Sequence, residues 1–159
     1  MQLREATAAE AEEIADVLRR SIVELCGADH GGDAATVATW TANKTAESVR
    51  DWMAASGAVR VAVSPEDVIL GVGAAAPDGT ILLNYVAPEA RFTGVSKAVL
   101  AGLEAWLVER GVTEARLNST RTAHTFYRAR GYSDDGPAVP WLKASAQPMR
   151  KSLSLRMST

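Results

Sequence analysis

Apolar positions recur along this chain with two different periods, and the places where the period changes predict its elements. Helical spacing dominates the first third of the sequence. One amphipathic helix is predicted from the apolar positions Ala11, Ile14, Leu18, Ile22 and Leu25. Thr7 and Glu10 precede it at capping-box spacing. A loop is predicted at residues 29–33, and residues 34–56 predict two shorter helices that break around residues 43–45.

Strand character replaces helical spacing in the middle of the chain. Short stretches rich in β-branched residues occupy residues 58–63, 68–74 and 81–86. Turn sequences at residues 64–67 and 77–80 separate them, so the three stretches predict an antiparallel meander. Another short strand is expected at the start of the chain.

The second half of the chain contains the strongest amphipathic helix. A loop is predicted from Pro88 to Lys97, and the helix behind it carries the apolar stripe Val95, Ala98, Val99, Gly102, Leu103, Trp106 and Leu107. A strand at residues 114–118, a helix ended by Gly131 and a strand at residues 149–155 follow. This order predicts a mixed α/β fold in which residues 1–159 form one domain.

Composition restricts the classes of function that this fold can serve. The net charge is -2, which is too acidic for a broad nucleic-acid surface. Cys26 is the only cysteine, so no intrachain disulfide can form. No apolar run approaches the roughly 20 residues of a membrane span, and the N-terminus lacks the pattern of a signal peptide. We therefore expect a soluble, cytoplasmic protein without nucleic-acid or membrane partners.

The segment from Arg91 to Lys97 has the properties of a phosphate-binding loop. It precedes a helix, and the first turn of a helix offers unpaired N–H groups and a partial positive charge. Gly94 leaves the backbone open to close approach, while Arg91 and Lys97 add positive charge. An ordinary loop with a helix-capping glycine explains the same residues equally well at this point.

Two motifs in this region resemble those of the GNAT superfamily of N-acetyltransferases. The strand at residues 81–86, then Arg91-x-x-Gly94-x-Ser96 and the long helix resemble motif A, with Ser96 where Gly or Ala is usual. The later pattern Thr120-x-x-Ala123-x-x-Phe126-Tyr127-x-x-x-Gly131-Tyr132 resembles motif B, with Thr120 where Asn is frequent. The element order matches as well, so the resemblance covers nearly the whole chain.

The resemblance implies an acyl-CoA N-acyltransferase fold, with a central, mostly antiparallel sheet flanked by helices. It implies acetyl-CoA as co-substrate, no metal, and a V-shaped gap between the third meander strand and the strand near Leu117. Backbone groups of Tyr85, Val86 and Ala87 are expected to pair with the pantetheine arm. The implied pyrophosphate site comprises Arg91, Phe92, Thr93, Gly94, Val95, Ser96 and Lys97. Ser119 and Thr120 complete the expected cofactor-binding set.

The same resemblance assigns roles in the chemistry. Backbone N–H near Val86 is expected to polarise the thioester carbonyl, and Tyr127 is the implied acid that serves the departing thiolate. Core packing beside Phe126 is the alternative role for Tyr127. The sequence identifies no general base: His30 is expected in a solvated loop, and His124 is expected to face solvent.

Three functions remain open at this stage. The first is an N-acetyltransferase that acetylates a primary amine of a small molecule or peptide by direct transfer. The second is a non-catalytic coenzyme A-binding regulatory module, and the third is an enzyme that uses a bulkier acyl group. Homodimerisation is common in the family, so a homodimer is possible.

Overall fold

The computed structural model describes residues 1–142 and 144–153. The predicted meander is present: the first sheet consists of β1 (Gln2–Glu5), β2 (Ala58–Val63), β3 (Ile69–Ala75) and β4 (Ile81–Val86). Its strands are antiparallel and lie in the order β1-β2-β3-β4, so β4 is an edge strand.

Helices flank this sheet. They are α1 (Ala11–Leu25), α2 (Gly27–His30), α3 (Ala34–Thr41), α4 (Ala46–Ala54), α5 (Val95–Glu109) and α6 (His124–Ala129). Two predicted boundaries were wrong. Part of the loop expected at residues 29–33 is the helical turn α2, and α5 begins at Val95, inside the loop expected to extend to Lys97.

A second sheet follows the long helix. It contains β5 (Glu114–Ser119), β6 (Ser133–Asp134), β7 (Val139–Trp141) and β8 (Ala144–Ser152), with β8 paired to the other three. The strand predicted at residues 149–155 therefore begins earlier than expected. Residues 154–155 lie outside the described residues.

The hydrophobic core lies on both faces of the first sheet. Glycines 71 and 73 of β3 face α5, because a Cβ atom built on them would lie 2.5 Å from Val95 Cγ1 and 2.4 Å from Val99 Cγ1. Side chains alternate across a strand, so the buried Val72 faces the other way, toward the layer that contains α1. The α5 helix is thus packed directly against the strand beside β4, and this contact fixes where its N-terminus lies.

In the described part of the chain, the two sheets are joined by one backbone bridge, at the start of β4. An isolated parallel bridge joins Thr80 to Arg116, supported by a 2.9 Å hydrogen bond from the Arg116 N–H to the Gly79 carbonyl. Beyond this bridge β4 and β5 form no ladder among the described residues. The strands therefore splay apart and leave the outer edge of β4 open.

Candidate active site in the gap between β4 and β5

Two neighbouring cavities occupy the region of the splay. The larger, of about 400 Å³, extends from β4 past the N-terminus of α5, and the smaller, of about 60 Å³, lies between β4 and β5. The predicted site residues that line the larger cavity are Tyr85, Val86, Arg91, Phe92, Gly94, Val95, Ser96, Lys97, Thr120 and Tyr127. The fold thus brings together segments that are well separated in sequence.

The open edge of β4 presents free backbone groups to this space. Ala87 donates its N–H to the Leu70 carbonyl at 2.8 Å, toward β3. Backbone groups alternate sides along an antiparallel strand, so those of Asn84 and Val86 face the open edge instead. The Val86 amide is therefore available to a ligand, whereas the Ala87 N–H is already used within the sheet.

The loop before α5 offers a run of unpaired amides. Its flanking hydrogen bonds join the Arg91 N–H to the Pro88 carbonyl at 3.3 Å and the Ala98 N–H to the Gly94 carbonyl at 3.1 Å. The N–H groups from Phe92 to Lys97 have no acceptor among the described residues. Because they belong to a helix start, they suit an anion.

Cationic side chains surround the same cavity. Arg91, Lys97 and Arg130 contribute to its lining, and no carboxylate does so among the described residues. Gly94 lies at the N-cap of α5 with φ 84°, a left-handed conformation that glycine adopts readily. The space where its Cβ would lie is empty, so the loop is open to a ligand at this point.

Three predicted cofactor residues do not line either cavity. Ala87 is fully buried. Thr93 is turned away from both cavities, and its hydroxyl donates to the Ala90 carbonyl at 2.5 Å. Ser119 is buried, and its hydroxyl donates to the Thr120 carbonyl at 2.7 Å. Thr120 lines both cavities while its hydroxyl accepts a hydrogen bond from the Ala123 N–H at 3.2 Å.

Tyr127 lies where the two cavities meet. It projects from α6, contributes to the lining of both cavities and is only 7% exposed. Burial raises the pKa of Tyr127 to about 12, and the neighbouring Asn84 side chain opposes part of that rise. The phenol is therefore protonated at neutral pH and available as a donor.

Asn84 is a site residue that sequence reasoning missed. Its side chain lines both cavities and reaches α5, where Nδ2 donates to the Ser96 carbonyl at 3.4 Å. Its Oδ1 is buried without a hydrogen-bond partner in the described chain. A polar residue in a strand of otherwise apolar character was the available signal, because a buried carboxamide needs partners.

An aromatic cluster lies on the opposite face of β4. The Trp40 indole donates to the Tyr85 phenol oxygen at 3.2 Å, and the rings of Trp40 and Trp141 meet edge to face at 4.6 Å. Burial raises the pKa of Tyr85 above its usual range. Tyr85 thus contributes its backbone to the strand and its side chain to this cluster.

The two histidines are both held by hydrogen bonds. His30 was expected in a solvated loop, and this was wrong: it is 6% exposed, its Nε2 lies 2.9 Å from the Ile22 carbonyl, and its Nδ1 accepts from the Gly32 N–H at 2.9 Å. His124 is partly exposed and contacts the Asp134 carboxylate at 2.8 Å. Neither histidine lines the two cavities.

Metal and membrane sites can be assessed for the described part of the chain. It contains no group of His, Cys, Asp or Glu side chains that could hold a metal ion. No helix in it has both the length and the apolar character needed to cross a bilayer.

A mixed α/β fold whose edge strand splays beside an anion-competent helix start is the arrangement that the resemblance to N-acetyltransferases implied. The family described as acetyltransferase (GNAT) domain matches residues 26–153 of the sequence. The chain therefore belongs to this family of enzymes, as the two motifs predicted. Among curated proteins, none matches the chain significantly in sequence.

Solved structures confirm the fold. A GCN5-related N-acetyltransferase from Rhodopseudomonas palustris has a TM-score of 0.83 and 22% identity, covering 96% of this chain and 95% of its own. The PaiA N-acetyltransferase from Thermoplasma acidophilum, in complex with coenzyme A, has a TM-score of 0.79 and 18% identity, with coverages of 95% and 98%. The aminoglycoside 6′-N-acetyltransferase from Enterococcus faecium has a TM-score of 0.72 and 17% identity, with coverages of 99% and 100%.

Proposed function

We propose that this enzyme transfers the acetyl group of acetyl-CoA directly to a primary amine of a small molecule or peptide. The observation that carries the proposal is the convergence of three groups on one cavity. They are the open-edge amide of Val86, the unpaired amides from Phe92 to Lys97 and the buried phenol of Tyr127. The first suits a thioester carbonyl, the second a pyrophosphate, and the third a departing sulfur.

The reaction forms one bond and breaks another. The amine nitrogen attacks the thioester carbon, and the Val86 N–H stabilises the negative charge that develops on the carbonyl oxygen. The C–S bond then breaks and coenzyme A leaves as thiolate. The proton lost by the nitrogen balances the one gained by the sulfur, so no further reactant is needed.

Tyr127 serves the departing sulfur as a hydrogen-bond donor. Its pKa of about 12 lies above the ordinary thiol value of about 8.5. Full proton transfer from the phenol to the thiolate is therefore uphill, by roughly 5 kcal/mol. The phenol stabilises the thiolate as it forms, and the proton released by the amine completes the protonation of sulfur.

Direct transfer is favoured over an acetylated enzyme intermediate by the state of Cys26. This residue lines the larger cavity, but burial and the nearby Asp29 raise the pKa of its thiol to about 12. A thiol with that pKa is protonated at neutral pH and is a poor nucleophile. The amine itself is the better candidate to attack the thioester.

The volume and the lining of the two cavities indicate the size of the acyl group and the charge of the acceptor. The smaller cavity, bordered by Leu83 and Tyr85, has a volume of about 60 Å³, which supports acetyl over a bulkier acyl group. No carboxylate lines either cavity in the described chain, so no side chain there can pair with the extra positive charges of a polycation. The site therefore favours an acceptor whose remainder, apart from the reacting amine, is uncharged or anionic.

The test measures thiol release from acetyl-CoA with a panel of amines. The panel contains an arylalkylamine, a polyamine, an aminoglycoside and a peptide with a free amino terminus. We expect acceptor-dependent thiol release, strongest with the arylalkylamine or peptide. Calorimetric binding of coenzyme A without acceptor-dependent release by any amine would favour the non-catalytic module, and absence of binding would exclude both functions.

A further inference from the structure

Phe92 combines two unfavourable features at the rim of the larger cavity. Its side chain is 90% exposed, the highest value among the large hydrophobic residues of the described chain. Its backbone has φ 65°, in the left-handed region that residues with a Cβ rarely adopt. An exposed polar residue would avoid the cost of the exposed apolar side chain, and a glycine would avoid the cost of the positive φ.

Among the described residues, the aromatic or cationic partner of the Phe92 ring is Arg91. The Arg91 guanidinium lies 4.6 Å from the centroid of the Phe92 ring and covers one face of it. The exposure of the side chain leaves the other face open. Strained residues cluster at functional sites, so the strained backbone of Phe92 indicates a function for this residue. The open face of its ring is where a ligand can bind.

The position of Phe92 in the loop limits which ligand group can reach it. Its own N–H is the first of the unpaired amides that we assign to the pyrophosphate. In coenzyme A the 5′ oxygen of the adenosine is bonded directly to the pyrophosphate, so the adenine lies only one ribose away. A purine is also the kind of flat π system that stacks on an exposed aromatic ring.

We propose that Phe92 is the stacking platform for the adenine base of coenzyme A. The inference rests on the proposed function, because it requires coenzyme A in the cavity. The ring stacks against one face of the base, and Arg91 supports the opposite face of the ring. The left-handed backbone at Phe92 places the ring at the rim of the larger cavity. Glycine would adopt the same backbone more readily but has no side chain to stack on the base.

The test compares coenzyme A with 4′-phosphopantetheine, which shares the pantetheine arm but lacks the adenosine, its 3′-phosphate and one phosphate of the pyrophosphate. Calorimetry measures the affinity of coenzyme A and of 4′-phosphopantetheine for the wild-type protein, Phe92→Ala and Phe92→Trp. We expect Phe92→Ala to weaken coenzyme A by roughly tenfold, with phosphopantetheine unchanged. Phe92→Trp retains the wild-type affinity for coenzyme A. Val23→Ala, which removes an exposed apolar side chain outside the cavity, leaves both affinities unchanged.

A second measurement separates stacking from backbone strain. Phe92→Gly relieves the positive φ, so we expect its ligand-free thermal midpoint to rise while its affinity for coenzyme A falls as in Phe92→Ala. A loss of stability in this variant together with equal losses for both ligands would mean that the ring only shapes the loop, which overturns the proposal.

The remaining outcomes are equally decisive. Unchanged affinity of Phe92→Ala for coenzyme A overturns the stacking role while the proposed function stands. Conversion of a wild-type dimer to a monomer by Phe92→Ala, with that affinity unchanged, would assign the ring to an interface instead. If the wild-type protein binds neither ligand, the proposed function fails and the stacking role fails with it.

Discussion

The carboxylate of Asp29 accepts a 2.6 Å hydrogen bond from the backbone N–H of Arg121, which lies 92 residues further along the chain. Its second oxygen accepts from the N–H of Thr122 at 3.1 Å and from the Thr122 hydroxyl. Asp29 is only 8% exposed. A buried side chain on α2 therefore holds the turn that leads into α6, and α6 carries Tyr127.

We expect Asp29→Ala to destabilise the protein and to impair catalysis together. The substitution leaves donors at Arg121 and Thr122 without their acceptor, which costs about 3 kcal/mol. For a domain of this size, that loss lowers the thermal midpoint by about 10 °C. Calorimetric melting and the turnover number for acetyl transfer provide the two readouts.

Asp51→Ala is the matched control for that substitution, because Asp51 is an exposed aspartate on α4. It should leave both the thermal midpoint and turnover close to wild type. If Asp29→Ala melts at the wild-type temperature, the hydrogen bonds to Arg121 and Thr122 do not stabilise the fold, and the role of Asp29 as an anchor is wrong.

Two glycines of β3 allow the position of α5 to be tested directly. A Cβ on Gly71 would lie 2.5 Å from Val95 Cγ1, at the first residue of α5, and a Cβ on Gly73 would lie 2.4 Å from Val99 Cγ1, one turn later. Alanine at either position overpacks the interface, at a cost of about 1–3 kcal/mol. Both variants should therefore melt several degrees below the wild type.

Their effects on coenzyme A binding should differ. Gly71→Ala pushes on Val95, which lies within the loop of unpaired amides, so we expect it to weaken coenzyme A as well. Gly73→Ala pushes on the middle of the helix and should leave that affinity nearer to wild type. Calorimetry decides between this expectation and a uniform shift of α5, which would weaken binding equally in both variants.

Local patterns were sufficient to predict the meander and the long helix. The β-branched stretch at residues 58–63 and the stripe that includes Val99 and Leu103 are visible within one element, and the structure buries most of the first and both of these stripe residues in the core. The loop before α5 was predictable as a helix start for the same reason, and its role in binding a cofactor stays a prediction. Periodicity over a dozen residues carries this information.

Contacts between distant segments were not predictable in this way. Residues 29–33 have the composition of a loop, yet His30 is buried because Ile22 and Gly32 satisfy both of its ring nitrogens. Asp29 is buried because its partners lie near residue 121. Ala87 shares a strand end with Val86, and only the pairing register shows which of the two amides is free. The homodimer and the cytoplasmic location stay predictions.

All three tyrosines of the chain should resist ionisation while the protein is folded. Burial raises the pKa of Tyr127 to about 12, and it raises those of Tyr85 and Tyr132 above the usual range, with the Glu104 carboxylate adding to the effect at Tyr132. The unfolded chain loses these protons near pH 10, roughly the ordinary value. The folded state therefore binds more protons above that pH, and its stability falls as the pH rises.

A spectrophotometric titration checks this behaviour. Phenolate absorbance of the native protein should remain low through about pH 10 and rise only as unfolding begins, whereas the protein in denaturant should titrate near the ordinary phenol value of about 10. A native tyrosine that ionises with the ordinary pKa and without unfolding would show that at least one of the three phenols is more accessible than its burial indicates.

Replacement of Tyr127 by phenylalanine tests the chemistry most directly. Phe retains the ring that packs edge to face with Phe126 and Tyr132 but removes the donor, so stability and affinity for coenzyme A should change little. Turnover should fall at least about tenfold, since a hydrogen-bond donor positioned at developing negative charge contributes on this scale or more. Tyr132→Phe is the control, because its phenol donates to Glu104 at 2.7 Å and lies outside both cavities.

The pH profile of turnover gives this variant a second readout. With a pKa of about 12, the Tyr127 phenol stays protonated across the neutral range, so it imposes no alkaline loss of activity below about pH 10. The wild type and Tyr127→Phe should therefore have parallel profiles, separated by a constant factor. A decline of the wild type near pH 8–9 that disappears in the variant would mean that Tyr127 ionises within the working range, and its assignment as a donor held by burial would be wrong.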